Sequence, residues 1–301
     1  MRRSLSLLVL LLAACGAQPA AAPTSPAAGA TTIKVVTTMS ILNDMIIHVG
    51  GERVSSKNII PLGAGPEDYQ PAPQDTQAIA DADIVFYNGH GLEDWLTKLF
   101  DAAGRPSQPR IAVSDGLQAV DVGGAFAEGN PHFWMSAAYG AQYVGKIRDG
   151  LIAVDPAGSA VYTANAAAYR AKLLALNEEL KQLAATVPPA SRKMVTNHDA
   201  FPYFAKEYGF TIVGDILGNP EGEPSAGDLA ALVEKIKAEK VKAVFSEAQF
   251  NQQLTETIAK ETGAKVVAEL YTDTLGDSAS GVTSYIDMLR YDVQTVVNAL
   301  K

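Results

Sequence analysis

The chain has 301 residues but only one cysteine, Cys15, and four histidines. With a single thiol, neither an internal disulfide nor a multi-thiolate metal site can form, so packing must hold the fold together. Positive charge is also scarce: 24 Lys+Arg face 33 Asp+Glu, the net charge is -9, and no basic run exceeds two residues. That balance excludes the basic footprint of a nucleic-acid-binding surface. No apolar run reaches the roughly 20 residues that a membrane-spanning helix needs. The helical zinc-hydrolase motif HExxH is absent. What remains is a composition of 48% hydrophobic and 19% charged residues, in the range of globular proteins and long enough for two domains.

The N-terminus reads as an export signal. Met1-Arg2-Arg3 supplies a positive start, Leu5 to Leu12 a short apolar core, and Leu12-Ala13-Ala14-Cys15-Gly16 resembles a bacterial lipobox. The expectation is a lipoprotein signal peptide over 1–15, with Cys15 acylated as the mature N-terminus and the protein anchored outside the cytoplasm to the cell membrane. Residues 16–31 carry no charge and are rich in Ala, Pro, Gly and Ser, the composition of a flexible tether.

From Thr32 the pattern becomes that of an α/β fold. Short apolar or β-branched runs at 32–38, 54–60, 84–87 and 111–113 alternate with helical spacing at 40–48 and 92–100. A second set of runs at 193–196, 211–213, 241–245 and 265–267 alternates with helical segments at 200–208, 226–237, 252–262 and 284–300. Strands separated by helices imply parallel sheets, here in two similar lobes at 32–155 and 190–301. Between them, Tyr169, Leu173, Leu176, Leu180, Leu183 and Val187 recur at spacings of four and three, one face of a helix. Pro156 suits its first turn and Pro188-Pro189 its end, so 156–189 reads as a linking helix about 45 Å long. Such a strut disfavours large rotation of the lobes.

Each histidine can be weighed singly. His48 ends a helical segment before Gly50-Gly51 and suits a capping or surface role. His90, in Asn88-Gly89-His90-Gly91, lies in a strand-to-helix turn that can line a site. His132 sits in Asn130-Pro131-His132-Phe133-Trp134, between a rigid proline and aromatic residues, and His198 directly follows a strand, at the edge of a parallel sheet where ligands collect. Glu67 and Asp273 occupy comparable loops. Two donors from each lobe could converge as a four-coordinate N₂O₂ site, suited to Zn²⁺, Mn²⁺ or Fe²⁺.

The stretches GPEDYQPAPQD (65–75), NGHGLEDW (88–95), NPHFWMS (130–136), HDAFPYFAKEYG (198–209), EGEPSAGDLAAL (221–232) and YTDTLG (271–276) resemble, in order, those of the metal-binding solute receptors of zinc and manganese ABC importers, the cluster 9 receptors. The resemblance covers 32–301. It implies two α/β lobes joined by one long helix, a single metal between them, and His132, His198 and Asp273 among its ligands. In that family the first ligand is usually a His within a stretch like DPHEYEP; the matching residue here is Glu67. The His/Asp/Glu-rich loop of many zinc-importing members is absent. In EGEPSAGDLAAL, Ser225 and Asp228 have the spacing of a helix N-cap.

The expected protein is therefore a nonenzymatic, monomeric receptor that carries one divalent metal ion to an ABC importer permease. A zinc-dependent hydrolase and a surface adhesin are the alternatives.

Overall fold

A computed structural model describes residues 32–120, 129–217 and 223–301. The expected signal peptide, Cys15 and the tether lie outside them. Two four-stranded parallel sheets organise the chain. The first comprises β1 (Ile33–Thr37), β2 (Val54–Asn58), β3 (Ile84–Tyr87) and β4 (Arg110–Ala112), in the order β2-β1-β3-β4. The second comprises β5 (Lys193–Thr196), β6 (Thr211–Asp215), β7 (Ala243–Glu247) and β8 (Lys265–Leu270), in the order β6-β5-β7-β8. The repeated order makes the lobes topological copies. In each, the central pair of strands is mostly buried, Lys34 of β1 being the one exposed residue among them.

In the first lobe α1 (Ser40–Gly50), α2 (Pro73–Asp81) and α3 (Leu96–Ala103) connect the strands. Helix α3 starts four residues later than its pattern predicts. Gly89, His90 and Gly91 all take positive φ, and the buried Glu93 carboxylate accepts the N–H groups of Asn88 and Gly89, at 2.8 and 2.9 Å, which closes a turn where a helix was expected.

Helix α4 (Ala137–Val154) has no counterpart in the sequence reading. Its glycines lower helix propensity by about 1 kcal/mol each relative to Ala. They permit close approach instead: a Cβ on Gly140 would stand 2.4 Å from the Tyr285 hydroxyl, and one on Gly150 2.7 Å from Phe86.

The linking helix α5 spans Ser159–Ala185, 27 residues or about 40 Å, after a single 3-10 turn at Pro156–Gly158. Tyr169, Leu173, Leu176 and Leu180 are buried, as their spacing predicts, and so are Tyr162, Ala166 and Ala184, whereas Leu183 is half-buried and Val187 is buried beyond the end of the helix. This face packs on α1 and α4 in the first lobe and on α6 (Pro202–Tyr208) and α9 (Tyr285–Leu300) in the second. One apolar cluster therefore runs from Val35 and Phe86 through Leu173 to Val293 and Val297, across both lobes. Truncating Leu173 to Ala would cost roughly 2–5 kcal/mol and loosen both lobes at once. A smaller cluster lies within the second lobe, beneath α7 (Ala226–Glu239) and α8 (Gln253–Thr262). At the start of α7 the Ser225 hydroxyl accepts the N–H of Asp228 at 3.1 Å, the expected cap. Among the described residues, no helix is long and apolar enough to cross a membrane.

Candidate metal centre

Parallel strands aim their carboxyl ends at one edge of a sheet, and the two sheets set those edges against each other. From the first lobe, Glu67 lies on the loop between β2 and α2, and His132 precedes the 3-10 turn Phe133–Met135. From the second, His198 follows β5 by two residues and Asp273 follows β8 by three. Donor atoms of all four lie within 4.8 Å of one another. His132 Nε2 is 3.2 Å from Glu67 Oε1, 3.3 Å from His198 Nε2 and 3.6 Å from Asp273 Oδ1. His198 Nε2 is 3.3 Å from Asp273 Oδ2. The site sequence reasoning assembled from four separate loops is thus brought together in space.

The far sides of the donors are held. Asn130 Oδ1 stands 3.0 Å from His132 Nδ1 and also accepts the His132 backbone N–H. An amide oxygen can only accept, so Nδ1 carries a proton, and in the neutral ring the lone pair is then on Nε2, which faces the cluster. The Asn130 amide nitrogen donates across the cleft to the Asp199 carbonyl at 2.6 Å, fixing the backbone beside His198. Trp134 likewise donates its indole N–H to the Thr272 carbonyl at 2.6 Å, one residue before Asp273. The Glu67 loop is propped by Trp95, whose indole N–H donates to the Pro66 carbonyl at 2.8 Å.

Sequence reasoning missed Glu247. At the end of β7, next to β5 in the sheet, it is fully buried beneath His198. Its Oε2 stands 2.7 Å from His198 Nδ1, a close approach of carboxylate to imidazole in which the attraction of charge is the larger part. Oε1 accepts the backbone N–H of Asn197 at 2.9 Å and of His198 at 3.2 Å. The one available signal was a carboxylate ending the apolar run AVFSE, tolerable in a core only with partners.

Burial alone would lower the pKa of His198, but the Glu247 and Asp273 carboxylates raise it well above its ordinary value. Burial would raise that of Asp273, yet His198 and His132 hold it below the usual range. The metal-free site thus concentrates negative charge that a cation neutralises. The residues fit a metal ion on a further count: Asp273 Oδ1 is buried without a hydrogen-bond partner, a cost that a coordinated cation removes.

The other two histidines stand apart. His48 is on the surface at the end of α1, donating from Nδ1 to the Asp44 carbonyl and stacked on Tyr169 at 4.3 Å. His90 is half-buried, its ring edge-on to Phe133 at 5.1 Å, so it borders the wall behind His132 without joining the cluster.

Residues 35–299 match the model of the family described as zinc-uptake complex component A, periplasmic. The chain belongs to this family. Among relatives of the zinc-uptake component A family, the manganese-binding lipoprotein MntA of Halalkalibacterium halodurans is 34% identical over 294 residues, 97% of this chain and 95% of that protein. The iron ABC transporter substrate-binding lipoprotein MtsA of Streptococcus pyogenes is 32% identical over 301 residues, again 97% and 95%. Among solved structures, the Mn-bound periplasmic metal binding protein of Candidatus Liberibacter asiaticus superposes with a TM-score of 0.82 at 28% identity, covering 90% of this chain and all of that one. The periplasmic zinc binding protein TroA of Treponema pallidum does so at 0.83 and 26%, covering 89% and 99%. The two-lobed fold with its long helix is the fold of these neighbours, and the chain is a metal-binding solute receptor of the ABC-transporter type.

Proposed function

We propose that Glu67, His132, His198 and Asp273 together bind one divalent transition metal ion, Zn²⁺ or Mn²⁺ with Fe²⁺ also accommodated, and that the protein hands this cargo to an ABC importer permease. The convergence of two donors from each lobe, with their far sides held by Asn130 and Glu247, carries the reading. Two ionised carboxylates and two neutral imidazoles balance a divalent charge, which matters in a site whose donors are almost all buried. Four protein donors fill a tetrahedral ion and leave no open position for a hydrolytic water, so we read a receptor rather than an enzyme.

The relatives' names as lipoproteins support an extracytoplasmic location, and Cys15 is the proposed point of acylation. The organisation we propose is a signal peptide over 1–15, a tether over 16–31, lobes over 32–155 and 190–301, and a linking segment over 156–189 built on α5, with the chain acting as a monomer. Isothermal titration of chelator-stripped protein tests the site. One ion should bind per chain, and His132→Ala or His198→Ala should weaken binding by at least about 100-fold, since loss of even an outer-layer partner costs up to that much. Undiminished binding in both variants removes the proposed site.

A further inference from the structure

Gln249, half-buried in the turn after β7, places its Nε2 2.6 Å from Thr272 Oγ1, 2.8 Å from Asp273 Oδ2 and 3.4 Å from Glu247 Oε2. The direction of the amide follows from these partners. Two are carboxylate oxygens, and the Thr272 hydroxyl already donates its proton to Glu247 Oε2 at 2.8 Å. All three therefore accept, and the NH₂ end must face them. The two oxygens of Asp273 are left unequal. Oδ2 carries the amide, while Oδ1 is buried without a hydrogen-bond partner. Both face the cluster: Oδ1 is 3.6 Å from His132 Nε2 and Oδ2 is 3.3 Å from His198 Nε2.

We propose that Gln249 is a specificity-determining residue that limits the ligand count of the metal site, engaging Oδ2 of Asp273 so that this residue coordinates through Oδ1 alone. The inference rests on the reading of Glu67, His132, His198 and Asp273 as the ligand set. A carboxylate can offer a metal one oxygen or two. Zn²⁺ is satisfied by four protein donors, whereas Mn²⁺ favours a higher number of oxygen ligands. An oxygen that holds an amide proton has less electron density to give an ion. Rotating the carboxylate to present both oxygens would take from the half-buried amide its nearer charged acceptor. The carboxylate charge is the same in either mode, so Gln249 selects by number of donors, while the choice of Glu or His at position 67 selects by charge and donor type. Gln249 acts through Asp273 and needs no contact with the ion.

The test compares the parent chain with Gln249→Leu, which removes the donor and introduces no new ligand. Zn²⁺ and Mn²⁺ affinities are measured by competition titration of chelator-stripped full-length protein, and the Mn²⁺ complex is examined by X-ray absorption. The Zn²⁺-to-Mn²⁺ affinity ratio should fall about tenfold, the low end of what outer-layer partners contribute, and Mn²⁺ should gain one light-atom neighbour. A ratio within twofold of the parent's, or equal losses for both metals, overturns the proposal, because a merely structural residue would not discriminate between ions. Should Gln249→Leu fail to fold, judged by melting of the metal-free protein, Gln249→Asn keeps the amide one methylene short and should shift the ratio less but in the same direction; no shift there is equally fatal. A parent that binds neither metal would overturn the site itself, and this inference with it. A binding parent with an unmoved variant ratio overturns the role of Gln249 alone.

Discussion

Asp44, on α1 of the first lobe, accepts the backbone N–H of Tyr285 at the start of α9, the last helix of the second lobe, at 3.2 Å. The same carboxylate oxygen accepts the hydroxyl of Tyr169 on the linking helix at 2.8 Å. One side chain thus joins three elements, and it places a negative charge at the N-terminus of α9, where the helix dipole favours it. Asp44→Ala should cost about 1–3 kcal/mol by leaving these donors without their acceptor. The expected readout is a melting midpoint lower by roughly 2–6 °C. The Zn²⁺-to-Mn²⁺ ratio should stay at the parent value, because Asp44 touches none of the metal donors. An unchanged midpoint would mean that the contact adds nothing to the joining of the lobes.

Replacing Glu67 by His should raise the Zn²⁺-to-Mn²⁺ affinity ratio. Carboxylate oxygen suits Mn²⁺ better than imidazole does, and the substitution leaves the complex one unit positive in a poorly solvated cleft. Zn²⁺ should outcompete Mn²⁺ in the parent as well, following the intrinsic affinity order. Competition titration of the two proteins decides the matter; identical affinities for both ions would make Glu67 a bystander.

Metal uptake should release protons at neutral pH. The Glu247 and Asp273 carboxylates raise the pKa of His198 and so favour its protonated ring in the metal-free protein, whereas ligation requires the neutral ring. Its raised pKa contributes to the stability of the metal-free fold below about 6.5, a contribution lost as pH rises through the folded value. The lowered pKa of Asp273 contributes in the opposite sense, above about 3.9 and lost as pH falls through its folded value. Metal affinity should therefore decline with falling pH from above 6.5 and continue to decline towards 5. Titration calorimetry at pH 7 in buffers of different ionisation enthalpy counts the protons, and a heat independent of buffer would contradict the assignment.

Cys15→Ala should shift the protein from the membrane fraction to the soluble fraction. Retention on membranes after a high-salt wash would exclude acylation at Cys15 as the anchor.

The sequence makes the ends of the site legible and hides its base. Strands such as Ile84–Tyr87 and Lys193–Thr196 match their expected bounds because each is a compact apolar or β-branched run bordered by polar residues. The four metal-binding candidates could be picked out since each belongs to a loop that follows a strand-like run or lies beside a proline. Glu247 could not, because only the neighbouring of β7 and β5 in the sheet places it beneath His198, and strand order is not written in local pattern. Helix α4 is hidden for a related reason: Gly140 and Gly150 lower its local helix propensity, and only the fold shows that they admit Tyr285 and Phe86 from distant parts of the chain.

Glu67 differs from the other three donors in one respect that bears on rate rather than affinity. His132, His198 and Asp273 are at most 3% exposed, whereas Glu67 is partly open to solvent on the stretch 59–72, which contains neither helix nor strand. A chelator or a docking permease approaching from solvent therefore reaches the Glu67 side chain, 8% exposed, before those of the other three, at 0–1%. On the proposed ligand set, two variants of equal affinity can then differ in how quickly they surrender the ion, according to how firmly the Trp95 indole holds this loop.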